Sequence, residues 1–208
     1  MAEKYDVRSI ALEQVLNYIK SGEIAIPEIQ RPFVWKPKQV RDLIDSLYTG
    51  YPTGYLIISQ SPNMKLKDGS LSLGKRIMID GQQRVTALMT SIMGIDVINA
   101  NFEKKRIKIS FNPLANPENE EELFKVQDNA TLKDKRWIAD IADVFSSSFD
   151  VFQFIGEYCS ANPEITGSAL NKIMMKLLDI KNRQIGIVTL DKDLTIDEVT
   201  EIFIRINS

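Results

Sequence analysis

The 208 residues suit one large domain or a core with a smaller lobe, and 44% hydrophobic with 26% charged residues are globular proportions. A net charge of −2 excludes a chain that coats nucleic acid by charge alone, and the single cysteine, Cys159, excludes an intrachain disulfide or a cysteine-based zinc site. No histidine is present, which removes Ser-His-Asp and Cys-His catalysis, HExxH zinc chemistry and any HNH-type nuclease centre within these residues.

The opening residues, MAEKYDVRSI, hold no hydrophobic signal region, and no apolar run approaches bilayer length. A cytosolic location is the expectation. Leu12, Val15, Leu16 and Ile19 then fall on one helix face, and Gly22 stands where a helix-ending glycine belongs. Residues 26–35, IPEIQRPFVW, are stiffened by Pro27 and Pro32. The simple reading is an edge strand with Phe33 and Trp35 in the core. The sharper one has Gln30 and Arg31 facing a phosphate, and Phe33 or Trp35 stacking on a base. Pro37 opens a second helix with the stripe Val40, Leu43, Ile44 and Leu47, closed by Gly50. The next residues, GYPTG (50–54), read as a β-turn whose backbone can line a cleft.

Strands are predicted at 54–59 and 76–80, with a polar loop or hairpin over 60–75. Val85, Leu88, Met89 and Ile92 mark a third helix ending near Gly94. Lys104, Lys105, Arg106 and Lys108 read as solvated surface, and Ile107, Ile109 and Phe111 alternate as a half-buried strand. Residues 112–136 are polar, so loops or hairpins are expected there. Helices follow over 149–159 and 167–181, then a strand over 184–190. The final stripe, Val199, Ile202, Phe203 and Ile206, is preceded by Thr195 and Glu198 in capping-box spacing. The pattern predicts an α+β core over about 1–112 and a mainly helical subdomain over 113–208, with the 184–190 strand returning to the core sheet. The last helix is still running at FIRINS, which points to a longer protein.

Residues 77–84, IMIDGQQR, place an acid, a glycine, two amides and an arginine between a strand and a helix. Asp80 as N-cap with Gln83 three residues on would be a capping-box variant. That leaves Gly81, Gln82 and Arg84 unexplained. A helix start presents unpaired N–H groups and the positive end of the dipole. Glycine lets a phosphate approach the backbone, and arginine forks onto its oxygens. Asp80 can hold Mg²⁺ or polarise a water that Gln82 or Gln83 orients. No Walker A pattern is present, so this is not a P-loop.

The ordered set IPxxQRxFxW, GYPTG, IDGQQRVTAL and EIFIRINS resembles the N-terminal domain of GmrSD-type, modification-dependent restriction proteins across nearly the whole chain. The resemblance implies a ParB/sulfiredoxin-like core that binds, and often hydrolyses, a nucleotide in defence against modified phage DNA. It also implies a separate HNH-type nuclease domain, absent here. Carried over, the motifs fall on Gln30 and Arg31, on Asp80 through Arg84, and on Asn207. The leading expectation is a Mg²⁺-dependent NTPase using ATP or GTP. Arg31 and Arg84 would take phosphates, the Gly81–Gln83 backbone would form the cradle, and Asp80, Gln82 and Gln83 would handle metal and water. One alternative is a DNA-sensing module in which Phe33 or Trp35 probes a modified base. Another is a ParB-like nickase drawing on Asp80, Asp42, Asp45 and Glu28.

Overall fold

The computed structural model describes residues 4–26, 32–60, 75–99 and 101–207. In chain order the elements are β1 (Tyr5–Ala11), α1 (Leu12–Lys20), β2 (Ile24–Ala25), α2 (Pro37–Thr49), β3 (Tyr55–Ser59), β4 (Arg76–Asp80), α3 (Gln82–Ser91), β5 (Val97–Ile98) and β6 (Lys104–Lys105). There follow β7 (Ile109–Phe111), β8 (Phe124–Val126), α4 (Asn129–Lys133), α5 (Ile141–Val144), α6 (Val151–Ala161), α7 (Gly167–Leu178), β9 (Gln184–Leu190) and α8 (Ile196–Asn207). The chain is therefore α+β, as its pattern predicts, with a small mixed sheet consistent with a ParB-like core.

Packing divides the chain into two compact units. One comprises residues 1–31, 53–85 and 181–208, the other 32–52 and 86–180. The first unit holds a 5-stranded sheet in the order β1-β9-β3-β4-β2. β9 lies antiparallel to β1 and parallel to β3, so the 184–190 segment does return to the sheet. β3 pairs antiparallel with β4 and carries a bulge between Ile57 and Ile58. Strand alternation sends Ile57, Val188 and Leu190 to one face, where Leu194, Val199 and Ile202 of the α8 segment cover them. Ile58, Ile187 and Thr189 face the other way, toward α1, whose Leu12, Val15 and Leu16 are buried.

The second unit is built on α2 and on the β7–β8 hairpin, whose residues Phe111 and Phe124 stack with Tyr48 at ring separations of 4.9–5.7 Å. α6 and α7 pack together beside it. Its polar caps are explicit. Asp128 and Asp150 accept from the first-turn N–H groups of α4 and α6. Arg106 pairs with the buried Asp140 at 2.7 Å, and its guanidinium lies against Gly94. Among the described residues no helix is long and apolar enough to cross a membrane.

Candidate functional site

The Asp80–Arg84 motif sits where β4 runs into α3, and the junction is built around its glycine. Gly81 has φ +95°, a conformation L side chains rarely adopt. A Cβ at this position would lie 2.3 Å from Leu56 Cδ2 on the neighbouring strand. Gly81 is therefore required by backbone geometry and by the close passage of β3, before any ligand is considered. The first helical hydrogen bond runs from Val85 N–H to the Gly81 carbonyl at 3.0 Å. Gly81 stands at the N-cap, one residue later than the capping reading of Asp80 expects. That reading also misplaces Gln83, which falls in the first turn at N2 rather than at N3. The reason is physical: Asp80 is still paired in β4, opposite Ile57, and its backbone cannot also begin the helix.

The side chains divide by what they touch. Gln82 turns back and donates Nε2 to the Met78 carbonyl at 3.3 Å, which ties the helix start to β4. Arg84 donates Nη1 to the Tyr55 carbonyl at 2.9 Å. Its guanidinium also lies against Gly54, where an added Cβ would approach Nη1 to 3.3 Å at φ +81°. The GYPTG turn thus supplies a floor for the arginine of the second motif. Arg84 is half-buried; desolvation pulls its pKa down, and the Asp80 carboxylate opposes that shift. A guanidinium carries five N–H donors, and one backbone carbonyl occupies only part of that fork. A buried cation with donors to spare is the arrangement an oxyanion would complete.

The other sequence candidates fall elsewhere. Gln30 and Arg31 lie outside the described residues. Phe33 is 6% exposed and bonded through its N–H to the Ile98 carbonyl, which puts it in the core of the second unit and leaves no open ring face for a base. Trp35 is half-buried in the same unit. Asn207 closes α8, and its side chain lies outside the described part. No three acidic or thiol side chains gather into a metal cage among the described residues. Asp80 therefore fits Mg²⁺ only as a single carboxylate completed by water and by the phosphates of a ligand, an ordinary way for that ion to be held.

Sequence reasoning missed a second feature of the first unit. At the Arg76 end of β4, opposite the Asp80 end, a cavity of about 650 Å³ opens on the α1 face. The Arg76 guanidinium lies 4.7 Å from the Tyr18 ring centre, and Gln14 Nε2 donates to the Tyr18 hydroxyl at 2.7 Å. Arg8, Thr189 and Lys192 complete its wall. The cavity has the larger volume, but its cations are already engaged: Arg76 pairs with Glu23 and Arg8 with Asp6. The Arg84 junction is the better phosphate candidate because its charge is desolvated and less fully partnered.

A mixed sheet between helical covers, with a glycine-built strand-to-helix junction holding a half-buried arginine, defines an α+β domain with an anion-accepting corner. Residues 12–208 match the family described as the GmrSD restriction endonuclease, N-terminal domain, and the chain belongs to that family. An uncharacterized protein of Methanocaldococcus jannaschii is similar, at 28% identity over 102 residues, covering 38% of this chain and 17% of that protein. The chain thus spans well under a fifth of that relative's length.

Proposed function

We propose that this domain binds a nucleoside triphosphate at the Asp80–Arg84 junction and regulates a DNA-restricting protein of the GmrSD kind. The observation that carries the reading is Arg84: a desolvated guanidinium beside Asp80, at the start of a 10-residue helix, with one described backbone partner. A phosphate bridging Arg84 and the first-turn N–H groups of α3 would gain charge-assisted hydrogen bonds and the favourable end of the helix dipole. Mg²⁺, when bound with the nucleotide, would supply charge neutralisation between phosphate oxygens, and Asp80 is the residue placed to hold it or a water. Gln83 would orient a water. Gln82 is less suited to that task, since its amide is engaged by the Met78 carbonyl. The family membership supports restriction of DNA, including modified phage DNA, as the activity of the whole protein, with cutting assigned to an HNH-type partner domain. The nickase reading has no described acid cluster to support it.

The test is phosphate release from ATP and GTP with Mg²⁺ by the parent protein, Asp80→Ala and Arg84→Ala. Loss of release in both variants, with melting curves that show folded protein, supports the reading. Release at the parental rate in both variants would end it.

A further inference from the structure

The β5–β6 hairpin of the second unit carries a feature that the nucleotide reading does not use. Phe102 stands at its turn, 81% exposed, in the left-handed region at φ +60°. A bulky aromatic at positive φ is an outlier, since its Cβ crowds the backbone. A large apolar ring held in water adds a second cost. The turn is nevertheless braced to keep this geometry. Asn99 Oδ1 accepts from the N–H groups of Asn101 and Glu103 at 2.9 Å, and Asn99 Nδ2 donates to Glu103 Oε2 at 2.9 Å. The Phe102 N–H closes the turn on the Asn99 carbonyl at 3.0 Å.

The charges around the ring are directional. Lys104 and Lys105 follow on β6, both exposed, and neither forms an ion pair or side-chain hydrogen bond among the described residues. Neighbouring strand residues point to opposite faces, so the narrow ribbon shows one free ammonium on each side of an aromatic tip. The one acid of the turn, Glu103, is occupied by Asn99.

We propose that this hairpin is a DNA-contacting finger: it enters a groove of duplex DNA, Phe102 wedges against a base step, and Lys104 and Lys105 reach the phosphates on the two walls. A two-stranded ribbon fits the major groove, and apolar wedges at base steps are a recurring device of DNA-deforming proteins. The lysine run is then a positioning contact rather than plain solvated surface. The proposal stands apart from the nucleotide site, because it uses other residues and needs no nucleotide.

The experiment is fluorescence anisotropy of the full chain with a labelled duplex oligonucleotide, without nucleotide, across a salt series. It compares the parent with Phe102→Gly, Phe102→Asn and the double variant Lys104→Ala/Lys105→Ala. Glycine and asparagine both accept positive φ. Both variants should therefore melt at or above the parental temperature while binding DNA about tenfold more weakly, the scale of one aromatic–base contact. The lysine variant should lower the slope of log K against log salt by about 1.8, for two phosphates released. Parental affinity in both Phe102 variants, no salt-dependent duplex binding by the parent, or tighter binding to duplex RNA of the same sequence would each overturn the proposal.

Discussion

Replacing Gly81 with alanine tests whether the motif's glycine serves the fold or only a ligand. The new methyl would sit 2.3 Å from Leu56 Cδ2, and the backbone would keep φ +95°. Holding an L-residue at positive φ costs about 1–2 kcal/mol, and pushing a methyl into a packed neighbour costs about 1–3 kcal/mol. The Leu56 side chain can yield somewhat, so about 3 kcal/mol is the expected loss. For a chain of this size that lowers the melting temperature by roughly 6–12 °C. Urea denaturation followed by circular dichroism, with no nucleotide present, measures it. A Gly81→Ala protein that keeps parental stability but loses nucleotide binding would refute the reasoning and make Gly81 a ligand residue alone.

Removing Arg106 with Arg106→Ala leaves Asp140, whose side chain is 4% exposed, without its guanidinium. Burial already pushes the Asp140 carboxyl upward, so the variant should lose about 3 kcal/mol at neutral pH and recover part of it in acid as Asp140 takes a proton; urea midpoints across pH read both. Glu198 is hydrogen-bonded by Lys4 and by the Thr195 N–H and hydroxyl, which hold its carboxyl down at about 2 against an ordinary 4.5. A depressed carboxylate contributes stability that is full above 4.5 and lost as pH falls toward 2, so Glu198→Gln should flatten the acid side of the stability curve, and an unchanged acid slope would contradict this. Gly186→Ala would place a methyl 2.5 Å from the Tyr55 ring, on the residue whose carbonyl holds Arg84. It should lower stability and weaken nucleotide binding together, which paired melting and titration experiments would show.

Much of the helical frame was legible because local signals agreed. The Leu12–Ile19 stripe, Pro37 at a helix start and Gly50 at φ +86° each read directly onto α1 and α2. Thr195 and Glu198 do exchange backbone hydrogen bonds at the start of α8. β1 gave no signal, since Tyr5–Ala11 is an edge strand exposed along most of its length and needs no apolar alternation. The β8 strand and α4 were hidden in a stretch too polar to read as anything but loop. At the site, the sequence could show that Gly81 and Arg84 exceed what a helix start needs. It could not show why, because Leu56 and Gly54 reach them only through β3–β4 pairing across a long connection. Phe33 illustrates the same limit: alternation with Trp35 fits a core strand or a stacking wall equally, and burial against the Ile98–Asn99 segment decides it.

The account rests on Arg84 as a phosphate ligand. Isothermal titration of ATP and of GTP, with and without Mg²⁺, into the parent protein, Arg84→Lys and Arg84→Ala tests that most directly. The prediction is measurable binding by the parent, weakened tenfold or more in Arg84→Lys, which keeps the charge but loses the fork, and abolished in Arg84→Ala. Binding of equal strength in all three folded proteins, or no binding of either nucleotide by the parent, would contradict it.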